Sequence, residues 1–223
     1  VVEHDGDQYA LQATSGVILA CGGFDWNPDL QRRFLRGPAF GAASPPGNEG
    51  DGILMGMEIG AQLGNMSEAW WAPVLQVPGE MVDGEPLFRA LINERGLPGS
   101  IIVNKLGQRF VNESSSYTKV TRGLFAANKP GAESIPAYMI FDATYRQRYP
   151  IGPMLPSTFQ PDFAVPGAIK KAIPSAMDIR ELARKLGVDP EGLAATVSRF
   201  NGFARSGKDE EFQRGDANYD RYY

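Results

Sequence analysis

The sequence is poor in the residues on which metal sites and histidine-based catalysis depend. It contains one cysteine, Cys21, and one histidine, His4, among 223 residues. A single cysteine excludes an internal disulfide and fits a reducing compartment. A zinc site of the usual Cys/His type is disfavoured, and a Ser-His-Asp triad would have to use His4 beside a turn. We therefore expect no metal site.

Long apolar runs and an excess of positive charge are also lacking. No run approaches the roughly 20 apolar residues that span a bilayer, and no signal peptide is visible. The formal net charge of −4 argues against a nucleic-acid partner, which favours a basic face. The contents of 43% hydrophobic and 22% charged residues are ordinary for a globular protein.

The first part of the chain predicts a small β-meander followed by two helices. A D-G turn at residues 4–7 separates strands at residues 1–3 and 9–13. Residues 16–20 predict a short buried strand. The first helix is predicted from Asn27 to Leu35 with Asn27-Pro28 as cap, and the second from Gly52 to Leu63.

The second part predicts a hairpin followed by helices. Residues 101–103 and 109–111 alternate like strands around a tight turn at residues 105–108, and residues 137–141 predict another strand. The loop at residues 78–86 is predicted to be irregular.

Two amphipathic helices follow near the end of the chain. Ser175 and Asp178 have the spacing of a capping box, and Gly187 stops the helix that follows. Asp189-Pro190 is predicted to cap the next helix, whose apolar stripe contains Leu193 and Val197.

Two glycine-rich segments are candidates for cofactor contact. Paired glycines at the end of a strand, in Ala20-Cys21-Gly22-Gly23, let a bulky ligand approach the backbone. Gly50-Asp51-Gly52 opens a helix whose free N–H groups can face an anionic or polar ligand. Taken alone, both segments are also explained as an ordinary strand end and an ordinary helix start. The second segment is not the dinucleotide fingerprint, because it follows a loop and its last spacing is one residue too long.

The aromatic residues Trp70, Trp71 and Phe88 are candidates for a substrate pocket. They form either packed core or an apolar wall for a flat ligand. Tyr117, which ends the polar segment after the hairpin, is either a solvated loop tyrosine or a catalytic phenol.

Several segments resemble known flavoproteins. Asn112 and Glu113 followed by Tyr117 resemble the active-site segment of fumarate reductases, in which the fifth residue after that Asn is a proton-delivering arginine. The stretches AWWAP from residue 69, NESSSY from residue 112 and RFNGFARSGKDEEFQRGDANYDRYY from residue 199 resemble the FAD-dependent 3-ketosteroid Δ1-dehydrogenases. The resemblance extends over nearly the whole chain.

The resemblance implies a fold, a cofactor and a reaction. It implies an α/β, Rossmann-like FAD-binding part with a β-meander at residues 1–75, and an α+β catalytic or capping part at residues 76–223, both incomplete. FAD would lie against residues 20–23 and 50–52, and a steroid-like substrate against the three aromatic residues. Tyr117 would take the α-proton while hydride leaves to flavin N5, and Asn112 and Glu113 would support its loop.

Alternatives remain open at this stage. A related flavoprotein acting on a non-steroid enone or carboxylate is one, and a non-catalytic ligand-binding piece is another. We expect an interior portion of a bacterial cytoplasmic enzyme, inactive by itself. Membrane association through the apolar substrate and a homo-oligomer are left open, and the sequence does not predict the electron acceptor.

Overall fold

The computed structural model describes residues 2–37 and 39–222. Its strands are β1 (Val2–His4), β2 (Asp7–Tyr9), β3 (Val74–Val82), β4 (Glu85–Ala90), β5 (Ser100–Val103) and β6 (Tyr138–Phe141). Its α-helices are α1 (Pro28–Phe34), α2 (Asp51–Glu58), α3 (Tyr117–Ala127), α4 (Ala143–Arg148), α5 (Gly167–Ala172), α6 (Ile179–Leu186) and α7 (Pro190–Ser206). Short 3₁₀ turns lie at Glu94–Gly96, Asp162–Ala164 and Asp220–Tyr222. In the described residues the strands pair as β1–β2, β3–β4 and β5–β6, all antiparallel.

In the first part of the chain the predicted turn is present, but the strand predicted from the apolar run is not. The D-G turn is confirmed, because Asp5 and Gly6 both have positive φ between β1 and β2. The buried strand predicted at residues 16–20 is wrong: Val17 and Ile18 are 77% and 93% exposed, and no described strand pairs with them. An apolar run becomes a buried strand only where neighbouring strands take its hydrogen bonds.

The two helices in this part begin where predicted. The side chain of Asn27 accepts hydrogen bonds from two N–H groups of α1, as a cap does. Helix α2 is shorter than predicted and ends at Glu58, because Gly60 adopts φ +89° and turns the chain out of the helix.

Residues 78–86 form a hairpin, so the prediction of an irregular loop is wrong. β3 and β4 pair from Val74↔Ala90 to Val82↔Glu85, and the register shifts between Gln76 and Met81. Pro78 and Gly79 fall within that irregular stretch, which explains why the sequence does not alternate cleanly. The turn at Asp83-Gly84, with positive φ at both residues, is the hairpin signal that the sequence carried.

The strand partner of β5 is β6, not the predicted strand at residues 109–111. Only an isolated bridge, Val103↔Arg109, joins β5 to that segment. The predicted turn is confirmed: the side chain of Asn104 accepts from Leu106 N and Gln108 N at 3.1 and 3.0 Å. Beyond the turn the chain leaves the sheet, because the Arg109 side chain is drawn into a buried cluster of charges.

Two apolar cores hold the second part together. The first contains Val77, Tyr145, Ile151, Met154, Val165 and Ile169. The second packs α6 and α7 on the β5–β6 pair and contains Ile101, Val103, Ile140, Ala183, Val188 and Leu193.

The caps of α6 and α7 are mostly as predicted. Gly187 ends α6 with φ +71°, and Asp189 caps α7. The capping box is corrected, since Asp178 is itself the N-cap of α6. Within residues 2–37 and 39–222, no helix combines the length and apolarity that crossing a bilayer requires.

Candidate active site

Tyr117 is the first residue of α3. Ser116 caps this helix, its hydroxyl accepting from Lys119 N, and the Tyr117 side chain is half-buried. The indole Nε1–H of Trp70 donates a hydrogen bond to the Tyr117 hydroxyl oxygen. The structure therefore brings together one predicted pocket residue and the predicted catalytic phenol.

The neighbouring tryptophans occupy opposite environments. Trp70 is 85% exposed, whereas Trp71 is 7% exposed. The Trp71 ring meets Phe125 of α3 edge to face, with ring centroids 4.9 Å apart. Trp71 thus anchors this segment to α3, and Trp70 is presented at the surface.

Phe88 lies on β4, where its ring covers Gly41. A Cβ built on Gly41 would come within 2.4 Å of that ring. Phe88 is half-buried, and it holds residue 41 against the β3–β4 hairpin.

Asn112 shapes the loop that leads to Tyr117. Its side-chain oxygen accepts from Ser114 N at 2.9 Å, and its amide nitrogen donates to Asp220 Oδ2 at 2.9 Å. Asp220 also accepts from Gly215 N at 3.2 Å. The loop is therefore tied to the C-terminal segment.

Glu113 belongs to a buried group of four charges, here named the Arg109 cluster: Arg109, Glu113, Asp209 and Arg214. Arg109 donates to both oxygens of Glu113 at 2.8 Å, and to those of Asp209 at 3.2 and 2.8 Å. The side chains of Arg109 and Glu113 are fully buried, and that of Asp209 is nearly so. The guanidinium carbon also lies 4.6 and 5.0 Å from the ring centres of Phe200 and Phe212.

Arg214 extends the cluster to the backbone before β5. It donates to the carbonyl oxygens of Ser100, Gly96 and Leu97 at 2.7, 2.8 and 3.0 Å, and to Ser114 Oγ at 3.0 Å. Glu113 in turn accepts from Ile102 N at 3.1 Å. The cluster therefore joins β5, the Tyr117 loop and the C-terminal segment.

Burial and pairing act in opposite directions on the pKa values of three members of the cluster. Burial lowers the pKa of Arg109, but its bonds to Glu113 and Asp209 outweigh that effect and raise it. Burial acts to raise the pKa of Asp209, and the Arg109 hydrogen bond overcomes it, so the pKa is lowered. Burial lowers the pKa of Arg214. Two cations and two anions together leave no net buried charge.

The sequence analysis missed the C-terminal partners of this cluster. Asp209 and Arg214 lie about a hundred positions from their partners, at separations of 100 and 101 residues. The only sequence signal was the mixture of both charge signs in the KDEEFQRGD stretch.

An open hollow of about 670 Å³ lies between the Tyr117 loop and the C-terminal segment. Phe110, Ser116, Lys119, Phe212 and Tyr219 are among its lining residues. Tyr117 and the three predicted pocket aromatics do not line it, so it is separate from the Trp70–Tyr117 pair.

The two predicted cofactor segments lie side by side. A Cβ built on Gly52 would sit 3.5 Å from Cys21, and one built on Gly22 would reach the Asn48 side chain at 2.2 Å. A Cβ on Gly50 would meet Leu30 at 2.6 Å. Gly23 follows Gly22 in the same exposed strip, and Ala20 precedes Cys21 in it.

This region fits a cofactor in its backbone chemistry. Gly50, with φ +93°, begins α2 and provides no side-chain cap. Ile53 N and Leu54 N donate to Gly50 O, so the N–H groups of Asp51 and Gly52 are left for another polar partner. The small residues on both segments leave room for close approach of a flat group such as the FAD ring system.

Comparison with known proteins gives matches over the whole chain. A family model described as an FAD binding domain matches residues 1–223. A 4-oxocyclohexanecarboxylate 2-dehydrogenase from Sinomonas cyclohexanicum is 40% identical over 215 residues, covering 96% of this chain and 36% of the relative. A 3-oxosteroid 1-dehydrogenase from Mycobacterium tuberculosis is 40% identical over 222 residues, covering 96% of this chain and 37% of the relative.

A solved structure agrees with this result. The crystal structure of a 3-ketosteroid delta1-dehydrogenase from Sterolibacterium denitrificans, in complex with 1,4-androstadiene-3,17-dione, superposes with a TM-score of 0.85. It is 38% identical, and the match covers 98% of this chain and 38% of that chain. The chain thus spans somewhat more than a third of the length of these proteins.

Proposed function

Because this chain belongs to the FAD-binding domain family, we propose that the whole protein is an FAD-dependent dehydrogenase that desaturates a CH–CH bond beside a ring ketone. A 3-ketosteroid is the proposed substrate, with the new double bond at the Δ1 position. The predicted cofactor, FAD, and the predicted kinship with 3-ketosteroid dehydrogenases are confirmed by the matches described above.

The observation that carries the proposal is the Trp70–Tyr117 pair. A half-buried phenol begins α3, and an N–H donor contacts its oxygen. Fumarate reductases keep an arginine at this position of the motif, and an arginine remains cationic. A tyrosine can lose its proton, and the resulting phenolate can take the proton from the carbon beside a neutral ketone.

The chemistry balances with Tyr117 as the base. Two C–H bonds break and a C=C bond forms between the two carbons. Tyr117 receives the proton from the carbon next to the ketone, a step made easier when the ketone oxygen accepts hydrogen bonds. FAD, when bound, accepts the other hydrogen with its electron pair.

Asn112 and Glu113 are proposed to hold Tyr117 in place without touching the substrate. Glu113 is fully buried in the Arg109 cluster, and Asn112 bonds the backbone of its own loop. Both contacts restrict the residues just before α3, and a base must be held in position to work.

We further propose that residues 1–75 complete an α/β, Rossmann-like FAD-binding part and that residues 76–223 form part of an α+β catalytic domain. In the first part, residues 20–23 and 50–52 would contact FAD. Trp70, near the end of the first part, and Phe88, in the second part, would face the substrate, while Trp71 supports Trp70 from the core.

The test is Tyr117→Phe in the full-length holoenzyme, with a 3-ketosteroid and an artificial electron acceptor. We expect turnover to fall by about 10²-fold or more, since general-base catalysis contributes about that much. The flavin absorbance should be retained, because the change removes only a hydroxyl group. Turnover equal to that of the wild type would refute the role of Tyr117.

A second candidate substrate is a 4-oxocyclohexanecarboxylate, favoured by one relative that is as similar as the steroid enzyme. It shares the ring ketone with the steroid and adds a carboxylate. Measuring kcat/KM for both compounds with one enzyme preparation distinguishes the two.

A further inference from the structure

We propose that Trp70 is a positioning residue for the base. Its indole N–H holds the Tyr117 oxygen in one place and stabilises the negative charge that develops there when the oxygen is deprotonated. This inference rests on the proposed function, because it takes Tyr117 to be the group that accepts the substrate proton.

The chain on both sides of Trp70 is attached to α3. Two residues before it, Glu68 pairs with Arg122 of α3 at 3.1 Å. One residue after it, Trp71 packs against Phe125 of the same helix. Since Tyr117 begins that helix, donor and acceptor are attached to a single rigid element.

The indole is suited to this task because it donates hydrogen bonds and accepts none. Because the indole cannot accept a hydrogen bond, the hydroxyl proton of Tyr117 points to another partner. The indole N–H bonds the Tyr117 oxygen more strongly once that oxygen carries a negative charge. Trp70 is 85% exposed, so its position is poorly explained by core packing. The hydrogen bond from its N–H to the Tyr117 hydroxyl oxygen explains its position better.

The charged groups near the Trp70–Tyr117 pair have contacts of their own. Glu68 is shared between Arg122 and Arg36. Lys119, two residues after Tyr117 on α3, is among the residues that line the separate open hollow. Among these groups, Trp70 is the one that contacts the Tyr117 oxygen in the described structure.

The first test is independent of turnover. The absorbance of tyrosinate is followed against pH in the full-length holoenzyme, for the wild type, Trp70→Phe and Trp71→Phe. For each protein the same curve is recorded in a variant that also carries Tyr117→Phe, and this second curve is subtracted from the first. The difference isolates Tyr117. We expect the curve of Trp70→Phe to be displaced from that of the wild type, because a hydrogen-bond donor to the Tyr117 oxygen is lost.

The matched control is Trp71→Phe. It removes the neighbouring indole N–H, which has no hydrogen-bond partner in the described structure, and keeps an aromatic ring near Phe125. Its midpoint should equal that of the wild type. Equal midpoints in Trp70→Phe and wild type would overturn the proposal.

The second test is a kinetic double-mutant cycle. Trp70→Phe should lower kcat about tenfold and change KM little. In the Tyr117→Phe background the same change should have no further effect, because the oxygen it acts on is gone. Independent, additive losses would overturn the role of Trp70 while leaving that of Tyr117 intact.

Failure of the proposed function gives a different pattern. If Tyr117 is not the base, Tyr117→Phe retains turnover, whatever Trp70→Phe does. The titration then still reports whether Trp70 stabilises the phenolate.

Discussion

Asp209→Ala should destabilise the protein far more than its place in a polar C-terminal segment suggests. The change removes both bonds to Arg109 and leaves two buried arginines with one buried carboxylate, Glu113, and the partly exposed Glu211 at 3.6 Å from Arg109. It also removes the acceptor for the backbone N–H groups of Glu211, Phe212 and Arg214. Removing one partner of a buried ion pair costs about 3–5 kcal/mol, and we expect a loss of that size.

The assay is urea unfolding of wild type and variant, followed by circular dichroism. A loss of stability with unchanged contacts elsewhere lowers the midpoint and leaves the slope of the transition the same. In a thermal melt, each kcal/mol shifts the midpoint by about 2–4 °C for a chain of this size. The expected decrease is therefore about 6–20 °C.

Glu191→Ala is the matched control. Glu191 also receives two bonds from one arginine, Arg180, at 2.8 and 3.0 Å, but this pair lies on the surface. Exposed pairs gain little because water screens them. If Asp209→Ala costs no more than Glu191→Ala, the Arg109 cluster does not stabilise the fold and the reasoning fails.

Three further predictions concern acid stability, a turn and the cofactor. The pKa of Asp209 is lowered in the folded protein, so its contribution to stability should be complete above about pH 4, near the pKa of the unfolded state. That contribution should disappear as the pH falls through the lower pKa of the folded state. Thermal melts of Asp209→Ala at several pH values should lack this part of the acid dependence. Gly107→Ala should lower the free energy of unfolding by roughly 3 kcal/mol or more in the same urea assay, because its Cβ would lie 2.3 Å from Leu193 N. Gly131 is also at positive φ but in open space, so Gly131→Ala should lower it by only about 1–2 kcal/mol. Gly52→Ala should melt like wild type as apoprotein and bind FAD more weakly by fluorescence titration, and unchanged affinity would show that FAD lies elsewhere.

The local features of the fold were readable because a few adjacent residues decide them. Asn27 and Asp189 cap helices through their own side chains, and Gly187 ends α6 by adopting a left-handed conformation. The turn at residues 105–108 depends on Asn104, which bonds the turn directly. Such features need no knowledge of the rest of the chain.

The wrong predictions involve partners that lie far away in the sequence. Residues 16–20 are apolar enough for a buried strand, but burial depends on neighbouring strands. Residues 109–111 alternate like a strand, but the Arg109 side chain pairs with Asp209, and β6 takes the place beside β5. Hydrophobic pattern alone does not identify the partner of a strand.

The candidate site was predictable in part. The motif that ends in Tyr117 predicts the phenol as the base, and this stays a prediction. The family resemblance predicted FAD, which the comparisons confirm. The hydrogen bond from Trp70 to Tyr117 joins residues 47 positions apart, and no pattern in the sequence indicates it. Trp70 and Trp71 were predicted to have the same role, because the sequence does not show which of the two faces the core.

The charges around Tyr117 bear on which substrate suits the site. The guanidinium of Arg109 lies between two phenyl rings and makes four hydrogen bonds to Glu113 and Asp209. A third carboxylate, that of Glu211, lies 3.6 Å from its Nη1, so a substrate carboxylate would have to compete with three carboxylates already present. Arg36 and Arg122 already share Glu68. A carboxylate bound beside Tyr117 would have to compete with Glu68 for these arginines, whereas a neutral ketone needs no such exchange. These contacts support the proposal of a neutral steroid substrate rather than the oxo-acid.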